Sequence, residues 1–169
     1  GIVHRDIKPS NLILDRHRNL WVTDFGLARV EGSQSLTLTG DLLGTLRYMS
    51  PEQAATSRAL VDHRTDIYSL GLTLYELITL KYAFPGDDRR LLLQQISNEE
   101  PPRPSKLNRG LPADLETIVL KAMAKDPNQR YVGARRLAED LKRFLDGRPI
   151  LAKRTPLITR AFKWCRRNK

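Results

Sequence analysis

Two hydrophobic rhythms divide the chain. Near the start, the short apolar runs Asn11 to Asp15 and Leu20 to Thr23 are separated by the polar Arg16-His17-Arg18-Asn19. Runs of this length and separation predict a β-hairpin. From Leu27 to Arg47 no period is sustained and Ser, Thr and Gly are frequent. That stretch predicts a long irregular loop, a kind that is usually functional or disordered in compact domains. Helical spacing then takes over. In TDIYSLGLTLYELITL the positions Ile67, Leu70, Leu74, Leu77 and Ile78 recur as on a helix, and the extra apolar residues between them predict burial on most sides. DDRRLLLQQI predicts a shorter amphipathic helix, and the Pro-rich stretch from Glu99 to Pro112 predicts a surface connection. A further helix is expected to start at Pro112 and stop before Pro127. The last amphipathic run, Ala134 to Leu145, places Ala134, Leu137, Ala138, Leu141 and Phe144 on one face. Trp21 and these leucine and alanine stripes are read as core packing. The fold class is therefore mainly α with a small β-hairpin.

Length and composition narrow this picture. At 169 residues the chain suits one domain, and a chain of that size buries roughly 70% of its unfolded surface. An apolar content of 40% with 7% aromatics argues against disorder and against a membrane bundle. The longest apolar stretch, Leu70 to Leu80, carries Glu76 and two threonines and is shorter than the roughly 20 residues of a bilayer span. The chain begins at Gly1 with no signal-peptide pattern, so it reads as a piece of something longer. The single cysteine, Cys165, fits a reducing compartment.

Charge changes the picture only at one end. The net charge is +10, and from Lys142 to Lys169 there are ten basic residues against the lone acid Asp146. The body is near neutral and the tail is basic. We place the boundary at 146, with a domain over 1–146 and a tail over 147–169.

The candidate chemistry clusters at the start. A carboxylate at Asp6, an ammonium at Lys8 and a carboxamide at Asn11 lie within six residues, and Asp24 sits where the second apolar run ends. Phosphoryl transfer asks for such a set, because catalysis there is mostly positioning and neutralisation of phosphate charge. A hard Mg²⁺ prefers oxygen ligands, which Asn11 and Asp24 offer. His4, His17 and His63 share no metal-ligand spacing, and His4 is expected to be a packed loop residue.

The ordered segments HRDIKPSN, DFG and SPE resemble the catalytic loop, metal loop and end of the activation segment of eukaryotic-type serine/threonine protein kinases. The resemblance runs to about Leu145. It implies that Asp6 accepts or orients the substrate hydroxyl proton, Lys8 contacts the transferring phosphate, and Asn11 and Asp24 bind Mg²⁺ beside ATP. It also implies that Arg5 pairs with a phosphorylated activation loop, for which Thr37 and Thr39 are favoured over Ser33 and Ser35. Lys8 and Thr45 favour Ser/Thr protein substrates over tyrosine. Asp66 corresponds to the aspartate that caps the catalytic-loop backbone, and Glu52 and Arg130 to an ion pair that anchors the activation segment. Ser50 stands where the family often has alanine.

One departure is large. None of the ten glycines forms a G-x-G-x-x-G loop, and no segment supplies the strand lysine or its glutamate partner. The resemblance therefore covers the large, C-terminal lobe, with the small nucleotide-binding lobe absent and expected as a partner. The rival readings are a pseudokinase or interaction module, disfavoured by the intact Asp6, Lys8, Asn11 and Asp24, and a nucleic-acid binder, disfavoured by a basic end without interleaved aromatics. The tail stays open between a solvated extension and a segment similar to that preceding the membrane span of bacterial, notably planctomycete, kinases. The second option would put it against an anionic surface at the cytoplasmic face of a membrane.

Overall fold

The computed structural model describes residues 2–25, 39–55 and 61–152, with backbone alone for 39–42. Gly26, Ser33, Ser35, Thr37, Cys165 and the tail from residue 153 onward lie outside the described residues, as does the side chain of Thr39.

Strands β1 (Leu12–Leu14) and β2 (Leu20–Val22) pair antiparallel, with Leu12 opposite Val22 and Leu14 opposite Leu20. Asp15 closes the turn: its carboxylate accepts from the amides of His17 and Asn19, each at 2.8 Å, and from the Trp21 indole N–H at 3.0 Å. These hydrogen bonds, that of Trp21 first, hold the Asp15 carboxyl at about 2. Trp21 is thus not a core residue. It is 58% exposed, on an open hairpin face, and its polar edge is what the fold uses.

Helix α1 (Thr39–Leu46) corrects the expectation of an irregular run to Arg47. Its Thr and Gly content gives weak helical propensity, and tertiary burial outweighs it: Leu46 is 5% exposed in the core and Leu43 packs beside it. Helix α2 (Pro51–Ala54) begins with Pro at its first position, and Gln53 Oε1 accepts from the Ser50 amide at 3.1 Å.

Helix α3 (Arg64–Thr79) is the central element, buried through Ile67, Tyr68, Leu72 and Tyr75. Leu77, expected inward, is 61% exposed, because the two tyrosines rather than the leucine stripe face the core. The helix ends at Leu80 in the left-handed region, φ 55°. Helix α4 (Arg89–Asn98) is capped by Asp88, whose carboxylate accepts from the Leu91 amide at 2.8 Å. The Pro-rich connection is more than surface chain. It contains helix α5 (Pro104–Leu107), buries Pro101 and Pro104, and accepts a 2.9 Å hydrogen bond from Tyr75 at the Pro102 carbonyl.

Helices α6 (Ala113–Ala122) and α7 (Ala134–Leu145) complete the bundle. At Gly71 a Cβ would stand 2.9 Å from Met123 Cγ and 3.0 Å from Ala122 Cβ, so α3 and the end of α6 meet closely only because a glycine is there. On α7 the buried side is Leu137 with Leu141 and Phe144 partly covered, while Ala134 and Ala138 are exposed. Asp140 is buried on that helix. Its oxygens accept from Tyr131 Oη and from the Leu151 and Ala152 amides. Among the described residues no helix is long and apolar enough to cross a membrane.

Candidate active site

Residues His4 to Asn11 form an extended loop that closes in a single 3₁₀ turn, Pro9–Asn11, where the fixed φ of Pro9 suits the turn's first position. The loop is held from behind by α3. Asp66 accepts the backbone amides of His4 and Arg5 at 2.8 Å each, and Gln53 Nε2 donates to the Arg5 carbonyl at 3.0 Å. Arg5 takes a φ of 70°, a left-handed conformation costly for a residue with a side chain and persisting only where neighbours impose it.

His4 is 3% exposed. One ring nitrogen, Nε2, lies 2.8 Å from the Thr23 carbonyl, and Nδ1 accepts from the Asp6 amide at 3.3 Å. A carbonyl only accepts, so Nε2 carries the proton and both nitrogens are spent on the loop. Its ring also lies 4.6 Å from that of Phe25.

The Asp6 carboxylate receives Lys8 Nζ at 3.0 Å and Asn11 Nδ2 at 3.1 Å, and the same Nδ2 donates to the Asp6 carbonyl at 2.8 Å. Lys8 Nζ also donates to Thr45 Oγ1 at 2.8 Å. Four residues from the loop and from α1 thus share one network. The Thr23 amide donates to the Asn11 carbonyl at 2.9 Å, which brings the end of β2, and Asp24 after it, to the same loop. Asp24 is exposed and has a φ of 61°.

Asn11 Nδ2 is committed to Asp6, while among the described residues its Oδ1 meets only Ser10 Oγ at 3.5 Å. The amide oxygen is thus the end left over, and it and the Asp24 carboxylate are both hard oxygen donors of the kind Mg²⁺ takes. Among the described residues no group of three His, Cys, Asp or Glu side chains is placed to hold a metal ion. A divalent cation here would therefore lean on phosphate oxygens and water.

The Glu52–Arg130 pair is bidentate, at 2.6 and 2.7 Å. Arg130 also donates to the carbonyls of Ala124, Arg64 and Lys125, so all five of its N–H groups are used. Burial raises the Glu52 carboxyl, but the Arg130 hydrogen bonds and charge outweigh it and the group titrates below its ordinary 4.5. Sequence reasoning missed Tyr48, whose hydroxyl donates to Glu76 on α3. Burial, with Glu76 beside it, pushes that phenol far above its usual range. Its position two residues before the SPE segment was the available signal.

The sequence profile of the protein kinase domain matches residues 1–141. A probable serine/threonine-protein kinase of Streptomyces coelicolor is 43% identical over 89% of the chain and 22% of its own length. Serine/threonine-protein kinase PknB of Mycobacterium tuberculosis is 42% identical over 95% of the chain and 27% of its own, and PrkC of Bacillus subtilis 40% over 90% and 23%. The chain spans about a quarter of the length of these relatives. It belongs to the protein kinase domain family, and these relatives are bacterial serine/threonine kinases.

Proposed function

We propose that this chain is the large lobe of a kinase domain that transfers the γ-phosphoryl group of ATP to Ser and Thr hydroxyls of protein substrates. The observation that carries this reading is the shared network of Asp6, Lys8, Asn11 and Thr45. A bond forms between the substrate oxygen and the γ-phosphorus while the bond from that phosphorus to the β–γ bridging oxygen breaks. ADP departs, and the hydroxyl proton passes to the Asp6 carboxylate. Lys8 is poised to neutralise charge on the moving phosphoryl oxygens, and Thr45 orients its ammonium. Asn11 Oδ1 and the Asp24 carboxylate would hold Mg²⁺, which when bound would neutralise the nucleotide phosphates. Arg5, exposed beside Asp6, is read as the partner of a phosphate on Thr37 or Thr39.

The 169 residues contain no G-x-G-x-x-G segment, so the loop and lysine that cover the nucleotide come from elsewhere. Ile13 with Trp21 on one side of the hairpin and Leu14 with Leu20 on the other, each 52–64% exposed, leave apolar surface that supports a hairpin made to meet that second lobe. Of the basic tail over 147–169, the first residues pack against the domain, with Ala152 buried and its amide bonded to Asp140. The part after Ala152 is read as resting on an anionic membrane surface on the cytoplasmic side, and its support is charge alone.

The test compares residues 1–169 with the full-length kinase, each with its Asp6→Asn variant as background, using labelled ATP, Mg²⁺ and a generic basic protein. Transfer is expected from the full-length protein and not from residues 1–169. A full-length protein no better than its Asp6→Asn background would overturn the enzymatic reading in favour of a binding module.

A further inference from the structure

We propose that a second site, in a cleft between the end of α6 and the start of α7, binds a phosphate-class anion. The cleft has a volume of about 240 Å³, and its walls include Lys121, Arg130, Tyr131, Arg136, Asp140 and Leu151. It shares no residue with the Asp6 network.

Three cations line it against one carboxylate, and their commitments differ. Arg130 has spent every N–H on Glu52 and three carbonyls and its charge is met by Glu52, so it offers a ligand neither a free donor nor net charge. Asp140 is likewise committed, to Tyr131 Oη at 2.9 Å and the amides of Leu151 at 2.6 Å and Ala152 at 2.9 Å. Its charge is met by these donors, and it forms no ion pair with Lys121 among the described residues. Lys121 Nζ stands 4.3 Å from the centre of the Tyr131 ring. A ring face takes no hydrogen bond of ordinary strength from an ammonium, so its N–H groups remain available to an acceptor. Arg136 uses one terminal nitrogen on Glu139, at 2.9 Å, and keeps the rest of its fork for a ligand.

An ammonium and a guanidinium lining one cleft from two helices suit an anion with several oxygens, and phosphate offers enough acceptors for both. The first turn of α7 adds to the field: it carries no acidic residue, its cap Gly133 has no side chain, and Arg135 and Arg136 stand where the dipole disfavours cations. A bound anion relieves that conflict. Leu151, 51% exposed at the rim, leaves room for the ester side of a phosphodiester. The ligand is thus either free phosphate or the headgroup of a phospholipid.

The purified chain would be titrated with inorganic phosphate by calorimetry at constant ionic strength set with chloride, and separately sedimented with vesicles of phosphatidylglycerol or phosphatidylcholine. The variants are Lys121→Gln with Arg136→Gln, the exposed single change Arg136→Gln in case the pair unfolds, and Arg16→Gln with Arg18→Gln as a charge-matched control on the hairpin. Saturable phosphate binding weakened about tenfold by the cleft variants and unchanged in the control supports the site with free phosphate as its source. Binding to phosphatidylglycerol alone, with the same dependence on the cleft residues, supports it with lipid as the source. No binding in either arm, or equal binding by the cleft and control variants, overturns it.

Discussion

The carboxylate of Asp66, in the first turn of α3, accepts the amide of Arg5 at 2.8 Å while Arg5 holds a φ of 70°. The helix thus fixes a backbone conformation that the loop would not keep by itself. Asp66→Ala removes acceptors for both Arg5 and His4, and hydrogen bonds to a charged group are worth roughly 1.5–3 kcal/mol each when buried. With Arg5 exposed, we expect about 2 kcal/mol of lost stability, with part recovered by Asp66→Asn. Urea unfolding measures this, and an unchanged midpoint for Asp66→Ala would contradict it.

Glu52 and Arg130 give a prediction with a pH signature. Breaking a buried ion pair by removing one partner costs about 3–5 kcal/mol, and the Arg130 side chain is fully buried. Arg130→Met is expected to cost about 3 kcal/mol at pH 7. Because the folded Glu52 carboxyl lies below its ordinary 4.5, its stabilisation is complete above that value and lost as pH falls through the folded one. The stability gap between the native chain and Glu52→Gln should therefore be widest near neutrality and shrink in acid. A gap that grows on acidification would refute the assignment.

The bond from Lys8 to Thr45 can be separated from the rest of the network. Thr45→Val removes the acceptor and leaves the Lys8–Asp6 pair in place. In the full-length kinase kcat is expected to fall about tenfold, in line with one lost charge-assisted hydrogen bond, with ATP KM little changed. Thr45→Ser should restore most of the rate, and failure of that rescue would remove the hydroxyl from the account.

Phosphorylation is expected at Thr37 or Thr39 when the full-length kinase is incubated with ATP. Peptide mass spectrometry would locate it. Full activity after Ser33, Ser35, Thr37 and Thr39 are all changed to Ala would leave Arg5 without its proposed regulatory partner.

The parts of this architecture set by near neighbours along the chain are legible in the sequence. Asp6, Lys8 and Asn11 sit close along the chain, so their proximity follows from the motif itself; the hairpin, α3, α4 and α7 follow from the apolar pattern and α6 from its flanking prolines. What depends on distant partners is not legible. Helix α1 exists because Leu46 finds a buried slot, although its own composition argues for a loop. Tyr68 and Tyr75 displace the leucine stripe of α3, since Tyr68 meets Lys125 and Arg130 and Tyr75 reaches the Pro102 carbonyl, and no local spacing records that. Trp21 departs from expectation for the opposite reason: a large ring suggests burial, yet a hydrogen bond to Asp15 accounts for it at the surface.

Asp140 bears on where this domain can safely be cut. The family profile stops at residue 141 and the charge pattern at 146, yet the carboxylate of Asp140 is satisfied by amides at 151 and 152, beyond both limits. A chain ended at either limit would strand a buried carboxylate with the Tyr131 hydroxyl as its remaining donor, a defect of the kind that costs several kcal/mol. A shortened protein ended just after Ala152 should express and melt like its parent, whereas one ended after Asp146 should melt markedly lower or aggregate. For crystallisation trimming, fusion tags and protease-defined boundaries, no cut should fall before Ala152.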